Sequence, residues 1–352
     1  MIKRIALFCL ITTSFCATAQ QGGSGVYQFL NTPLSARVTA LGGVMVPVRD
    51  GDFNTTVQDP SLTWSADKMP LSLNYSRYPA SINNQNFFVG KHFAKYGSFL
   101  GGVQYMNYGT FTESDVYGDP TGSFRASEFA TSIAWQHQAD STFTYALNAK
   151  FIGSYLNKES SYGAAVDLSA TYYIKAYDLT FTGTAKNLGM QLKPCDNSPR
   201  EPLPLVIQAG VSRRLSKAPL RLMMVLQHLE KGDLTYVTPA DPNAGTNNLG
   251  TTNSKEESKI GKTADAIMRH TIFGGELLFS KNFTVQIAYN YLLRHEMTIP
   301  ERTAFTGVSF GFNLTIASFH FAFAHSNNHL AGGLSQFTLG FNLNDILKKH
   351  KV

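Results

Sequence analysis

From Leu71 onward, apolar and polar residues alternate with a period of two, the pattern of strands that have one apolar face and one wet face. Leu71, Leu73 and Tyr75 alternate with Ser72, Asn74 and Ser76. Phe143, Tyr145, Leu147, Ala149 and Phe151 alternate with Thr144, Asn148 and Lys150, and Phe319, Phe321 and Phe323 with Ser318, His320 and Ala322. Such runs predict strands near 71–78, 85–93, 97–108, 126–138, 142–156, 162–174, 177–187, 205–214, 219–230, 269–279, 283–295, 303–313, 316–325 and 333–343. Most are close to the roughly 9–11 residues that a tilted strand needs to cross a bilayer.

The connections sort by parity. Those after even-numbered strands are short, near 94–96, 139–141, 175–176, 215–218, 280–282 and 314–315. Those after odd-numbered strands are mostly longer: 79–84, 109–125, 188–204, 231–270, 296–302 and 326–331, with only 157–161 small. Outer-membrane barrels have short periplasmic turns and longer external loops, whereas a soluble sandwich has no reason to sort its loops this way. The expected fold class is therefore all-β: a transmembrane antiparallel β-barrel of about 14 strands. The polar segment 231–268 is expected to be an external loop, and the tail after the last strand is expected on the periplasmic side.

Ahead of the strands, the segment from Tyr27 to Trp64 has few alternating runs, and we expect it to pack inside or under the barrel as a plug. Gly42 and Gly43 allow close approach or positive φ. Asp50-Gly51-Asp52 and Asp59-Pro60 are turn signals. Arg37 stands in an otherwise uncharged stretch, so it has either a fixed partner or an exposed position. The expected organisation is a signal peptide at 1–19, a plug at 20–70, the barrel at 71–343 and a periplasmic tail at 344–352.

Composition supports this picture. Charged residues are 15% of the 352 and aromatics 12%, against roughly 25% charged in soluble proteins. No apolar run after the N-terminus is long enough for a membrane helix. Lys3 and Arg4, the apolar stretch from Ile5 to Ile11 and Ala17-Thr18-Ala19 form a secretory signal pattern, and bulky Phe15 argues against lipidation at Cys16. Cleavage after Ala19 would leave Cys195 alone, unable to form an internal disulfide. The formal charge of +6 is scattered, clustering only at Arg213-Arg214 and Lys348-Lys349, so these read as interface and solvated charges and no nucleic-acid partner is expected.

Motifs that could carry chemistry fail on context. Gly307-Val308-Ser309-Phe310-Gly311 matches a nucleophile elbow in letters, but it alternates as a strand with Ser309 on the polar face, which leaves a phospholipase reading without its strand-to-helix turn. Gly261-Lys262-Thr263 lacks the first glycine of a phosphate loop. His325 and His329 flank an expected loop rather than sharing a helix face. Asp167 reads as a lumen filler. No enzyme, cofactor or metal site is expected.

The segment Tyr27-Gln28-Phe29-Leu30-Asn31, followed by Ser35-Ala36-Arg37 and Leu41-Gly42-Gly43, resembles the start of the PorQ family, an outer-membrane component of the Bacteroidetes type IX secretion system. Ser123-Phe124-Arg125-Ala126-Ser127-Glu128 is similar to that family as well. The resemblance implies a FadL-like barrel with an N-terminal plug, carried by Tyr27, Phe29, Leu30, Asn31, Ser35, Arg37, Gly42, Gly43, Asp59 and Pro60. FadL-type plugs have an Asn-Pro-Ala turn where this chain has Asp59-Pro60-Ser61. The resemblance also implies a non-enzymatic role in an attachment complex, anchoring a PorZ-like surface protein beside a PorV-like barrel and a sortase-like protease, PorU. Outer-membrane lipid and lipopolysaccharide would surround it. Tyr108, Phe111 and Tyr117 are candidate partner contacts, or members of the interfacial aromatic belt. The alternative is a FadL-like channel for hydrophobic small molecules.

Overall fold

A computed structural model describes residues 25–64, 68–195, 198–232, 234, 259–296, 305–329 and 332–345. The expected signal peptide, most of the long external loop and the end of the tail lie outside the described residues. Fourteen strands among the described residues close into an antiparallel barrel in simple sequence order. They are β1 (Pro70–Arg77), β2 (Asn83–Phe93), β3 (Gly97–Ser114), β4 (Pro120–Gln138), β5 (Phe143–Leu156), β6 (Glu159–Ile174) and β7 (Leu179–Lys193) in the first half. The second half is β8 (Val206–Arg214), β9 (Leu220–Leu226), β10 (Thr271–Leu278), β11 (Phe283–Asn290), β12 (Val308–Ile316), β13 (Phe319–His329) and β14 (Gly332–Asn342). Pairing of β1 with β14, from Pro70↔Asn342 to Arg77↔Ser335, closes the wall and leaves no sheet edge around the ring.

The alternation resolves into two environments. Leu73, Tyr75, Phe87, Val103, Phe321 and Phe337 point outward and are exposed, as residues facing lipid must be. Their neighbours Ser72, Asn74, Asn86, Gln104, Thr338 and Gln336 point inward and are buried. They are buried because the lumen is filled by residues 25–64. This segment forms a 3-10 turn at Gln28–Asn31 and two short helices, α1 (Ala36–Ala40) and α2 (Phe53–Thr56).

The plug runs the length of the lumen. Tyr27 donates to Ser161 at the long-loop end of β6, 3.0 Å away. Val38, Leu41, Met45, Val46 and Val48 pack on Met223, Val225 and Ile272. At the short-turn end, Arg49 donates to Ser141 O at 2.8 Å, and Phe53 and Trp64 pack against Phe88 and Leu100. Lumen-facing glycines make room for it. A Cβ at Gly90 would sit 2.6 Å from the Phe53 ring, and one at Gly311 2.7 Å from the Ala40 methyl.

Four boundaries differ from expectation, each for a local reason. The stretch 109–125 is strand up to Ser114 and again from Pro120, so only Asp115 to Asp119 form the turn. Leu188 to Lys193 likewise extends β7. β11 stops at Asn290, where the adjacent Leu292-Leu293 breaks the alternation. Asn290 Oδ1 accepts from Leu293 N at 3.3 Å, and a helix, Tyr291–Glu296, follows. The segment from Ser326 to His329 continues β13, which places His325 and His329 on a strand rather than beside a loop.

Candidate functional site: a wired plug and a surface ribbon

Two features of this scaffold have functional geometry. The first is the set of polar contacts between plug and wall. α1 packs Ala36 and Ala40 on Ala322 and Ala324 of β13. That close seat aims Arg37 at β10. Its guanidinium donates from Nε to Glu276 Oε1 at 2.8 Å, to Asp50 Oδ2 at 2.7 Å and to Asp52 Oδ2 at 3.0 Å. Arg221 of β9 joins the cluster, 2.6 Å from Glu276 and 2.9 Å from Asp50. Arg37 is only 4% exposed, so the charge is stable there only because three carboxylates surround it. Burial works against ionisation of Asp50, but Arg37 and Arg221 outweigh it and hold that carboxyl well below the usual range.

A second junction lies nearer the outer end. Asn187 Nδ2 donates to Asn31 Oδ1 at 3.0 Å, while Asn187 N donates to Asp167 Oδ1 at 2.8 Å. Lys150 pairs with Asp167 at 2.6 Å. Gln104 donates to Phe29 O at 3.0 Å, and Gln136 to Pro60 O at 2.7 Å. Asp59 makes its own turn: Oδ1 accepts from Ser61 N at 3.0 Å and from Ser61 Oγ at 2.7 Å. Burial raises the Asp59 pKa despite those bonds. Beside the larger hollow of about 630 Å³ that Arg37, Asp50 and Arg221 line at the short-turn end, a small cavity between plug and wall, bordered by Gln58, Gln104, Lys150, Asp167 and Lys186, has a volume of about 30 Å³. That suits a water or two, whereas a dry cavity that takes benzene is roughly 150 Å³.

The residues singled out in the plug thus lie inside the barrel. Tyr27, Phe29 and Leu30 form one apolar cluster with Ile152 and Leu203. Ser35 donates to Asn54 O at 2.7 Å. Gly42 has φ of 101° and faces Ile272; Gly43 has φ of 80°. No local pattern signals that Glu276 and Arg221 meet Arg37, because both belong to strands where they look like ordinary lumen polars. Ser309 lies at the start of β12, bonded to Ser326 Oγ at 2.6 Å.

The second feature is the ribbon formed by β3 and β4. Their outer pairing runs from Thr110↔Arg125 to Ser114↔Pro120. That is beyond the last pair of β3 with β2, at Asn107, and of β4 with β5, at Ala126. The ribbon therefore stands free of the barrel on its long-loop side. Phe111 and Phe124 stack across it, 5.3 Å between centroids. Asp115 Oδ1 organises the tip, accepting from Tyr117 N and Asp119 N, each at 2.9 Å. Val116 and Tyr117 stand out from that tip, 93% and 88% exposed. Between Thr110 and Phe124 the only charges are Glu113, Asp115 and Asp119. Tyr108 is placed differently from Phe111 and Tyr117. It is half-buried, packs on the cluster around Tyr27 and bonds Glu128.

A closed, plugged barrel whose wall is apolar outside and polar inside defines an outer-membrane β-barrel. Comparison with solved structures identifies its fold. The chain is similar to the toluene transporter TodX of Pseudomonas putida, at TM-score 0.51 and 11% identity over 88% of this chain and 97% of that one. It matches a TodX deltaS2S3 mutant, a monoaromatic hydrocarbon channel, with the same score and coverage. A Pseudomonas aeruginosa FadL homologue is also matched, at TM-score 0.46 and 8% identity over 88% of this chain and 98% of that one. No protein-family model and no curated protein matches the sequence. The fold is thus the fourteen-stranded barrel that the strand pattern predicts, of the kind seen in TodX.

Proposed function

We propose that this protein is a non-enzymatic outer-membrane barrel that anchors an extracellular protein, with its lumen held shut by the plug. The observation that carries the reading is the β3–β4 ribbon: a rigid, acidic hairpin that presents Val116 and Tyr117 to the outside. Exposed aromatic and aliphatic groups on a preformed turn are typical interface anchors, because little entropy is lost when they dock. The resemblance to the PorQ family narrows the proposed partner to a PorZ-like surface protein of a type IX secretion attachment complex, working with a PorV-like barrel and a PorU-like protease. The test is photo-crosslinking from position 117 in the native membrane, followed by identification of the attached chain. A surface-complex component is expected, and, with the crosslinker placed at position 114 instead, the substitutions V116S/Y117A should reduce its capture about tenfold or more, as for a pair of interface anchors. Recovery of no such component would overturn the reading.

A second reading, a channel for hydrophobic small molecules, is favoured by the likeness in fold to the toluene transporter. It requires the plug to move, since residues 25–64 occupy the lumen from Tyr27 near its outer end to Arg49 at its short-turn end. Proline substitutions in α1 should then change hydrocarbon uptake, whereas an anchor should show no uptake to change.

A further inference from the structure

The short-turn rim of the barrel gathers cations that no carboxylate answers. The turn after β6 carries Lys175 and exposed Tyr177, and the turn after β8 carries Arg213, Arg214 and Lys217. Strand pairing brings the two turns together: Leu179 is opposite Arg213, and Arg214 N donates to Asp178 O at 3.2 Å. Among the described residues, no carboxylate lies within ion-pair distance of Lys175, Arg213, Arg214 or Lys217. Asp178, the acid that lines the same hollow, accepts the Tyr173 hydroxyl at 3.1 Å instead. An open hollow of about 960 Å³ lies between the turns.

The position of this cluster relative to the bilayer is fixed by the wall. Arg213 ends the lipid-facing row of β8, between Leu179 of β7 and Leu222 of β9. The next rung inward is Phe181, Val211 and Met224. A guanidinium at the end of an apolar row reaches out of the hydrocarbon into the headgroup layer. Tyr177 and, on the short turn after β2, Tyr96 are exposed at this rim, where amphipathic rings collect. Short turns face the periplasm, so the headgroups are those of the inner leaflet. Guanidinium and ammonium groups at that depth match the phosphate oxygens of a lipid.

We propose that the turns at Lys175–Tyr177 and 213–217 form a binding site for the phosphate of an anionic phospholipid in the inner leaflet. Arg213 supplies the forked contact, and Lys175 and Lys217 add point charges. The site depends on neither reading of the barrel's function.

The test uses the full-length protein in phosphatidylcholine nanodiscs containing phosphatidylglycerol, with retained lipid counted by native mass spectrometry. The variant K175Q/R213Q/K217Q should bind phosphatidylglycerol about 100-fold more weakly, from roughly fivefold per cation near a membrane surface. R213Q alone should cost about fivefold, which keeps the test open if the triple variant does not fold. Retention equal to wild type in these variants overturns the proposal. Equal loss from K158Q/K193Q/R200Q on the opposite rim also overturns it, because net charge alone would then explain the effect. Displacement of the lipid by millimolar inorganic phosphate would assign the site to a free anion and overturn the lipid assignment.

Discussion

At the scale of single residues, Arg37 decides whether plug and wall act as one body. Removing one partner of a buried ion cluster leaves the others uncompensated, and typically costs about 3–5 kcal/mol. R37M should therefore lower the stability of the plugged state by about 3 kcal/mol, read as a shift in the urea midpoint of the detergent-solubilised barrel. Because Glu276 and Arg37 share bonds at 2.8 and 2.9 Å, the double variant R37M/E276Q should cost less than the sum of its parts by about 1–3 kcal/mol. The cluster also fixes a pH dependence. Asp50 has a depressed folded pKa, so its contribution is fully present above the unfolded value of about 3.9 and is lost as pH falls through the lower folded value. Protease protection of the plug should be flat from pH 8 to 5 and weaken only below about pH 4. Loss of protection between pH 7 and 5 would show that another group governs the contact.

Elements show what the sequence made legible. Period-two alternation located the fourteen strands because each has one face on lipid and one on the plug, so the two faces differ in composition. It failed at Thr110 to Phe124 because both faces of a free-standing ribbon meet water, and neither selects apolar residues. It failed at Tyr291 to Glu296 because a capped helix begins where a strand was expected to continue. The plug was legible as a non-strand segment, but its partners were not. Arg37 bonds Glu276 across 239 residues, and nothing in local spacing can encode a contact closed by the barrel itself. Packing between elements is also testable. A methyl at Gly311 would fall 2.5 Å from Phe323 O and 2.7 Å from Ala40 Cβ, whereas at Gly183 the nearest atom is 4.0 Å away. G311A should destabilise the barrel by about 1–3 kcal/mol through the forced shift of α1, and G183A should change little; thermal midpoints in the same detergent compare them.

For the molecule as a whole, residues 25–64 occupy the lumen that the closed wall surrounds. Purified protein in a planar bilayer should carry almost no ion current, and deletion of residues 26–64 should produce discrete openings, because the lumen wall left behind is polar. Large steady conductance from the intact chain would contradict a wedged plug. The two rims differ as well. The ribbon tip on one side is acidic, and the turns at Lys175 and Arg213 on the other are basic, so each rim selects for different neighbours.

The plug enters the lumen beside Ser161 near the outer end and leaves it at the periplasmic end to become β1, which pairs with β14 as the final seam. The seam therefore closes around a lumen that residues 25–64 fill, so Ala36 N to Thr338 and Thr39 to Gln336 tie the plug to the very strand that completes the wall. Loosening the plug and opening the seam are for that reason linked: strain on one is felt by the other.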